Sequence, residues 1–259
     1  MLLVIDIGNT NISFAIFEKN KILYKWRLST KGSKTADEYY LNICDFLELA
    51  KIKINQIDSA IISNVVPQSL FEIKAFFEKY LKITPLVVGE KSVKLPIQVK
   101  ITNPNEVGAD RIVNAVGALK NSPAPIIIID FGTATTFDVV DKNKNYIGGV
   151  IAPGVNLSLS SLHKTAAKLP QIEIAKPEKV IGKSTIEAMQ SGIFYGYKGL
   201  IEELIKQITK ELGGEKKPSV IATGGLGILF ADASNLIDSY NEDLTIHGLK
   251  TIWEFNENN

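Results

Sequence analysis

Two stretches of the chain put a carboxylate at the end of an apolar run and follow it with glycine and small polar side chains. Asp6-Ile7-Gly8-Asn9-Thr10-Asn11 follows Leu2–Ile5, and Asp130-Phe131-Gly132-Thr133-Ala134-Thr135-Thr136 follows Ile126–Ile129. In the first stretch, Gly8 can take positive φ and let a phosphate approach the backbone. Asn9, Thr10 and Asn11 offer short donors beside exposed turn amides, a nest for anionic oxygens. Asp6 suits Mg²⁺ held through water, because that ion prefers carboxylate, water and phosphate oxygen. An ordinary hairpin is the plainer reading, since Gly-Asn is a common turn pair. One copy does not separate the two; a second copy at an equivalent place favours phosphate. In the second stretch Asp130 can bind a cation or orient a nucleophile, and Thr133 can bond a γ-phosphate oxygen. Threonine also simply suits a β-strand, which is the better account of Thr136.

A third stretch, Gly108-Ala109-Asp110-Arg111, opens the apolar segment Ile112–Leu119. Asp110 stands at or near a helix N-terminus, where free amides and the dipole favour a carboxylate. It is either a helix cap beside a solvated Arg111 or a general base beside an anion clamp. The residues alone leave that choice open. Base catalysis is worth about 10²–10⁴ in rate and a cap about 1 kcal/mol, so kinetics can separate them.

Other marks are weaker. Gly148–Gly154 brings backbone close to some neighbour. Thr223-Gly224-Gly225-Leu226-Gly227 ends a strand and could pack on adenine or ribose, but no Gly-Lys-Ser/Thr follows it. Gly182-Lys183-Ser184-Thr185 resembles the tail of a Walker loop without the upstream glycine or a preceding buried strand. His163 and His247 are isolated and read as structural. Cys44 is the one cysteine, within the apolar run Ile43–Leu47; it excludes an internal disulfide and reads as a small buried hydrophobe.

The elements that must hold these residues repeat. Leu2–Ile5, Ile12–Phe17 and Ile22–Leu28 form a strand, turn, strand, tight turn, strand series, and Ile126–Ile129, Thr136–Val140 and Tyr146–Ile151 form another. Mixed elements follow each. Asp37–Ala50 and Gln68–Tyr80 have helical spacing, with strands at Ser59–Val66 and Pro85–Val88. Thr185–Ile208 reads as a long helix, Glu211–Pro218 as a loop and Pro218–Ala222 as a strand. The class is therefore α/β, with two similar halves, 1–120 and 121–259, and a ligand site expected in a cleft between them. Charged residues are 22% and the net charge is +1, which offers no basic stripe for nucleic acid or a membrane surface. The apolar start breaks at Asp6, too soon for a signal peptide, and no later apolar run reaches membrane length. A cytoplasmic location is expected.

With these motifs in hand, the chain resembles the type III pantothenate kinases. Asp6-Ile7-Gly8-Asn9-Thr10, Gly108-Ala109-Asp110-Arg111 and Asp130-Phe131-Gly132-Thr133-Ala134-Thr135 look like the family's three signatures, in order. Ala188-Met189-Gln190-Ser191-Gly192-Ile193-Phe194-Tyr195-Gly196-Tyr197 is similar to its helical segment. The resemblance implies duplicated ribonuclease H-like halves of the actin, sugar kinase and heat-shock ATPase superfamily. It implies that Asp6, Ile7, Gly8, Asn9, Thr10, Asn11, Ile12 and Ser13 bind ATP phosphates and Mg²⁺, and that Thr133 touches ATP. Gly108, Ala109, Asp110, Arg111 and Thr185 would line the pantothenate site, with Asp110 taking the proton of the primary hydroxyl. Asp130 would hold potassium or ammonium. A homodimer is implied, for which the helix near Phe194–Tyr197 is suited, although that composition equally fits a core. In one departure, Ile101 or Thr102 stands where the family often carries a tyrosine before Asn103-Pro104, so a phenol contact to substrate is missing.

The implied reaction is in-line attack of the alcohol on the γ-phosphorus, catalysed largely by positioning and electrostatics. A kinase for another polyol or amino sugar would need a different acceptor pocket. A binding or transcription-accessory relative would not need Asp6, Asp110 and Asp130 together.

Overall fold

A computed structural model describes residues 1–32, 34–166, 169–214 and 216–258. Two compact units emerge. The first comprises Met1–Gln98, Thr102–Lys120 and the chain from Leu244 onward; the second comprises Val99–Ile101 and Asn121–Asp243. The C-terminal segment, expected with the second half 121–259, instead has its helix in the first unit.

In the first unit, β1 (Leu2–Ile7), β2 (Asn11–Glu18) and β3 (Lys21–Ser29) form an antiparallel meander. Helix α1 (Ala36–Leu49) crosses over to β4 (Ser59–Asn64), which pairs parallel with β1. Thr35 starts α1 with a capping box: its hydroxyl accepts from the Glu38 N–H, and the Glu38 carboxylate accepts from the Thr35 N–H. Tyr39, Ile43 and Leu47 then form the buried stripe of α1. Helix α2 (Pro67–Phe76) ends in a π turn, Phe77–Leu81, and β5 (Leu86–Val87) closes the sheet in the order β3-β2-β1-β4-β5. One face, Leu3, Ile5, Ile7, Ala60 and Ile62, packs on α1 and α2 residues. Cys44 is half-buried at the rim of this layer rather than inside it.

Beyond the two-residue β6 (Gln98–Val99), helix α3 (Ala109–Asn121) leads to the second unit. There β7 (Ile126–Phe131), β8 (Ala134–Val140) and β9 (Asn145–Pro153) repeat the meander. Helices α4 (Val155–Thr165) and α5 (Thr185–Leu212) follow, then β10 (Ser219–Gly224), α6 (Gly227–Ala231) and β11 (Ser239–Tyr240). The sheet order is β11-β10-β7-β8-β9-β6, so the first five strands of the repeat are arranged as in the first sheet. Helix α5, expected to end at Ile208, runs one turn further to Leu212, so the loop expected from Glu211 begins two residues later; Glu215 lies outside the described residues. Phe194 and Tyr197 face the second core, with Phe194 stacked on Phe230.

Helix α7 (Leu244–Glu257) belongs to the first unit and touches β1 and β4. It crosses α3 at glycines. A Cβ on Gly117 would lie 2.5 Å from the Leu244 carbonyl oxygen, and one on Gly248 would lie 2.1 Å from that of Val113. Only glycine lets the two helix backbones approach so closely.

Candidate active site

The loop after β1 is built by short-range bonds. The Gly8 N–H donates to the Asn11 carbonyl at 3.0 Å, and Asn9, Thr10 and Asn11 stand exposed. Gly8 does not use positive φ, which among the described glycines falls on Gly32, Gly89, Gly148, Gly213, Gly214 and Gly224. Its lack of a side chain matters for another reason: a Cβ would sit 3.1 Å from the Asn11 carbonyl oxygen. Thr30, just past β3, fastens the loop from outside. Its hydroxyl donates to the Gly8 carbonyl at 2.7 Å and its N–H to the Thr10 carbonyl at 3.0 Å. Nothing local in the sequence signals this contact, since the partners are twenty or more residues apart. Ile7 and Ile12 are fully buried, backbone and side chain alike, and so anchor the loop from within the sheet.

Asp6 lies opposite Ser13 on β2 and Ser63 on β4. Paired residues share a face of the sheet, so the carboxylate stands between two hydroxyl side chains.

Gly108–Arg111 is in the same unit. Asp110 occupies the first turn of α3, where its Oδ1 accepts the Arg111 N–H at 2.8 Å. A Cβ on Gly108 would fall 2.6 Å from that same Oδ1. The glycine two residues before the aspartate therefore gives its carboxylate room to fold back. Burial raises the Asp110 pKa above the ordinary carboxylate value, against the Arg111 N–H bond and the Arg111 charge. The structure also links the two motifs. The Val65 N–H donates to the Ile7 carbonyl at 3.0 Å, and the Val65 side chain lies 3.8 Å from where a Gly108 Cβ would be.

In the second unit the loop after β7 is equally tight, with the Gly132 N–H donating to the Ala134 carbonyl at 3.0 Å. Two glycines remote in sequence crowd it. A Cβ on Gly154 would reach within 2.1 Å of the Thr133 carbonyl oxygen, and one on Gly224 within 2.6 Å of Asp130 Oδ1. Within the glycine-containing stretches 148–154 and 223–227, Gly154 and Gly224 thus pack against the loop itself. Asp130 lies opposite Thr136 on β8 and Thr223 on β10, repeating the arrangement around Asp6. Thr133 is exposed at the tip.

Thr185 belongs elsewhere in this unit. It begins α5 after its cap Ser184, on a cavity of about 410 Å³ that Leu162, Leu169, Met189 and Ile193 also line. Gly182 and Lys183 serve the helix start: the Lys183 N–H donates to Glu187, and a Gly182 Cβ would collide with the Ala188 N at 2.4 Å. His163 accompanies the Leu169 carbonyl and His247 packs edge-on to Phe17. No group of three or more His, Cys, Asp or Glu gathers among the described residues.

The family model of the type III pantothenate kinases matches residues 2–207. The chain belongs to this family. A type III pantothenate kinase of Paramagnetospirillum magneticum is 50% identical over 252 residues, covering 97% of this chain and 96% of that one. Among solved structures, a Campylobacter jejuni protein described as a Baf family transcriptional activator is similar with TM-score 0.60 at 21% identity, covering 99% and 100% of the two chains. A Sinorhizobium meliloti protein described as a 2-dehydro-3-deoxygalactonokinase also reaches 0.60, at 11% identity, covering 99% and 98%. These two likenesses concern the fold alone. The duplicated α/β architecture is that of the sugar kinase and actin-like ATPase superfamily, to which the family belongs.

Proposed function

We propose that this protein transfers the γ-phosphoryl group of ATP to the primary hydroxyl of pantothenate, forming 4′-phosphopantothenate and ADP at the start of coenzyme A biosynthesis. Family membership supports the reaction. The observation that carries its chemistry is Asp110, a carboxylate made more basic by burial at the first turn of α3. Such a group is suited to accept the hydroxyl proton as the alcohol attacks. Gly108, Ala109, Arg111 and Thr185 bind pantothenate in this reading. The loop segment Asp6 through Ser13 holds the ATP phosphates, with Ile7 and Ile12 as its buried anchors, and Thr133 also contacts ATP. The oxygen groups around Asp6, with Ser13 and Ser63 beside it, fit Mg²⁺ carried largely on water and phosphate. Asp130 between Thr136 and Thr223 offers a similar hard-oxygen setting for potassium or ammonium. When bound, these cations would offset phosphate charge.

We further propose a cytoplasmic homodimer. Among the described residues no helix is long and apolar enough to cross a membrane. Gly192, Gly196 and Gly199 leave open space along α5 where a second copy could pack; sedimentation velocity of the wild type and of Gly196→Glu tests this. The reaction is tested by ADP release with Mg²⁺ and pantothenate, in potassium and in sodium, for the wild type and Asp110→Asn. Pantothenate-dependent turnover that needs potassium and collapses in Asp110→Asn is expected. A folded wild type without turnover under any ion would refute the assignment.

A further inference from the structure

Ser63 is wholly buried, yet its hydroxyl has no hydrogen-bond partner. A buried polar atom left unpaired calls for a physical reason, because alanine in the same place would carry no such penalty. Its position supplies one. Ala60 and Ile62 of β4 face the core shared with α1, so Ser63 faces the other side, beside Asp6 in the parallel ladder. Two residues later Val65 binds the Ile7 carbonyl and borders Gly108. The end of β4 therefore runs from the Asp6 carboxylate to the motif that carries Asp110. The second unit repeats the placement of a buried hydroxyl: Thr223, 2% exposed, holds the equivalent position on β10 beside Asp130.

We propose that Ser63 is a positioning residue for Asp6, its hydroxyl donating a hydrogen bond to the Asp6 carboxylate when Mg²⁺ and nucleotide bind. The inference rests on the phosphoryl-transfer reading above. Neighbouring strands lie about 4.8 Å apart, and serine can change rotamer without backbone movement, so the bond needs only a side-chain turn. A carboxylate has about four lone-pair sites; it can accept this bond and still face metal-bound water. The bond fixes the plane of the carboxylate, as groups behind a metal ligand do, and losing such a group typically costs about 10–100-fold in metal affinity or activity.

The test is calorimetric titration of ADP with and without Mg²⁺ into the wild type, Ser63→Ala and Ser63→Thr, with melting curves of each. Ser63→Ala should melt at or above the wild type and bind ADP normally without Mg²⁺. It should lose about tenfold of the Mg²⁺-dependent gain in affinity, and Ser63→Thr should recover most of it. Ser63→Cys, close in size but a weak donor, should show the same loss and serves if the alanine variant fails to fold. A Ser63→Ala protein with wild-type Mg²⁺ dependence would overturn the inference, as would an equal loss without Mg²⁺. A wild type whose ADP binding ignores Mg²⁺ would bring down the metal assignment at Asp6 and this inference with it. A wild type that responds to Mg²⁺ beside an unaffected Ser63→Ala would bring down this inference alone.

Discussion

Replacing Gly248 by alanine should cost both stability and rate, although Gly248 touches no substrate in the proposed reaction. Alanine in a helix interior is favoured over glycine by about 1 kcal/mol, so propensity alone predicts a gain. The new Cβ, however, would sit 2.1 Å from the Val113 oxygen and 2.9 Å from both the Val113 carbonyl carbon and its Cγ1. Contacts under 3.0 Å are not tolerated, so α3 and α7 must part by about 1 Å. Overpacking of this kind costs about 1–3 kcal/mol, and contact with rigid backbone argues for the upper end. The net loss is about 1–2 kcal/mol, a fall of roughly 2–8 °C in melting temperature for a chain of this size. Val113 is one turn from Asp110, so the shift reaches the proposed base, and a displacement of about 1 Å can cost about 10²-fold in rate. Differential scanning fluorimetry and steady-state kinetics read the two effects. Gly225→Ala, outside both helices, is the control, since no atom lies within 4 Å of its Cβ position, and it should be near neutral. A Gly248→Ala enzyme that melts at or above the wild type with unchanged kcat would refute the reasoning.

Asp110→Asn should lower kcat by about 10²–10⁴ while raising the melting temperature at pH 7. Burial raises the Asp110 pKa, so between the unfolded value of about 3.9 and the folded value the native state binds the proton more firmly, and stability falls as pH rises through that window. The advantage of the uncharged variant should therefore vanish below about pH 4, which melting curves across pH would show; an advantage that persists there would contradict burial as the cause. Gly224→Ala combines a backbone φ of +84° with a Cβ 2.6 Å from Asp130 Oδ1. It should lower kcat and weaken the response to potassium, whereas Gly225→Ala, which meets nothing within 4 Å, should not; equal potassium titrations would speak against a role for Asp130.

The two meanders, their carboxylates and the Gly-Ala-Asp-Arg turn were legible because each is written in neighbouring residues. An apolar run ending in Asp and Gly looks the same before and after folding. The reasons for individual glycines were not legible. Gly8 reads in the sequence as free to take positive φ and instead needs room beside Asn11, while Gly154 and Gly224 answer to a loop far away in sequence. Helix α7 is not legible in the sequence because Gly248 interrupts its apolar spacing, and the reason for that glycine is Val113 on another helix. The strands β6 and β11 have two residues each and carry no period. Thr30 and Ser63 are ordinary strand-end residues until sheet register sets them beside Gly8 and Asp6.

The return of α7 to the first unit has a consequence for how the protein is made. Domains generally fold as units from the N-terminus while the chain is still being synthesised. Here the first unit stays incomplete until the residues from Leu244 onward emerge, after all of Asn121–Asp243. Until then β1 and β4 lack the helix that covers them, and α3 lacks the glycine crossing that seats it. A nascent chain can display the loop after β1 early, but the helix bearing Asp110 is locked only once Asn121–Asp243 has been passed and α7 has emerged. The order of the sequence itself thus ties the seating of Asp110 to residues that follow the whole second unit.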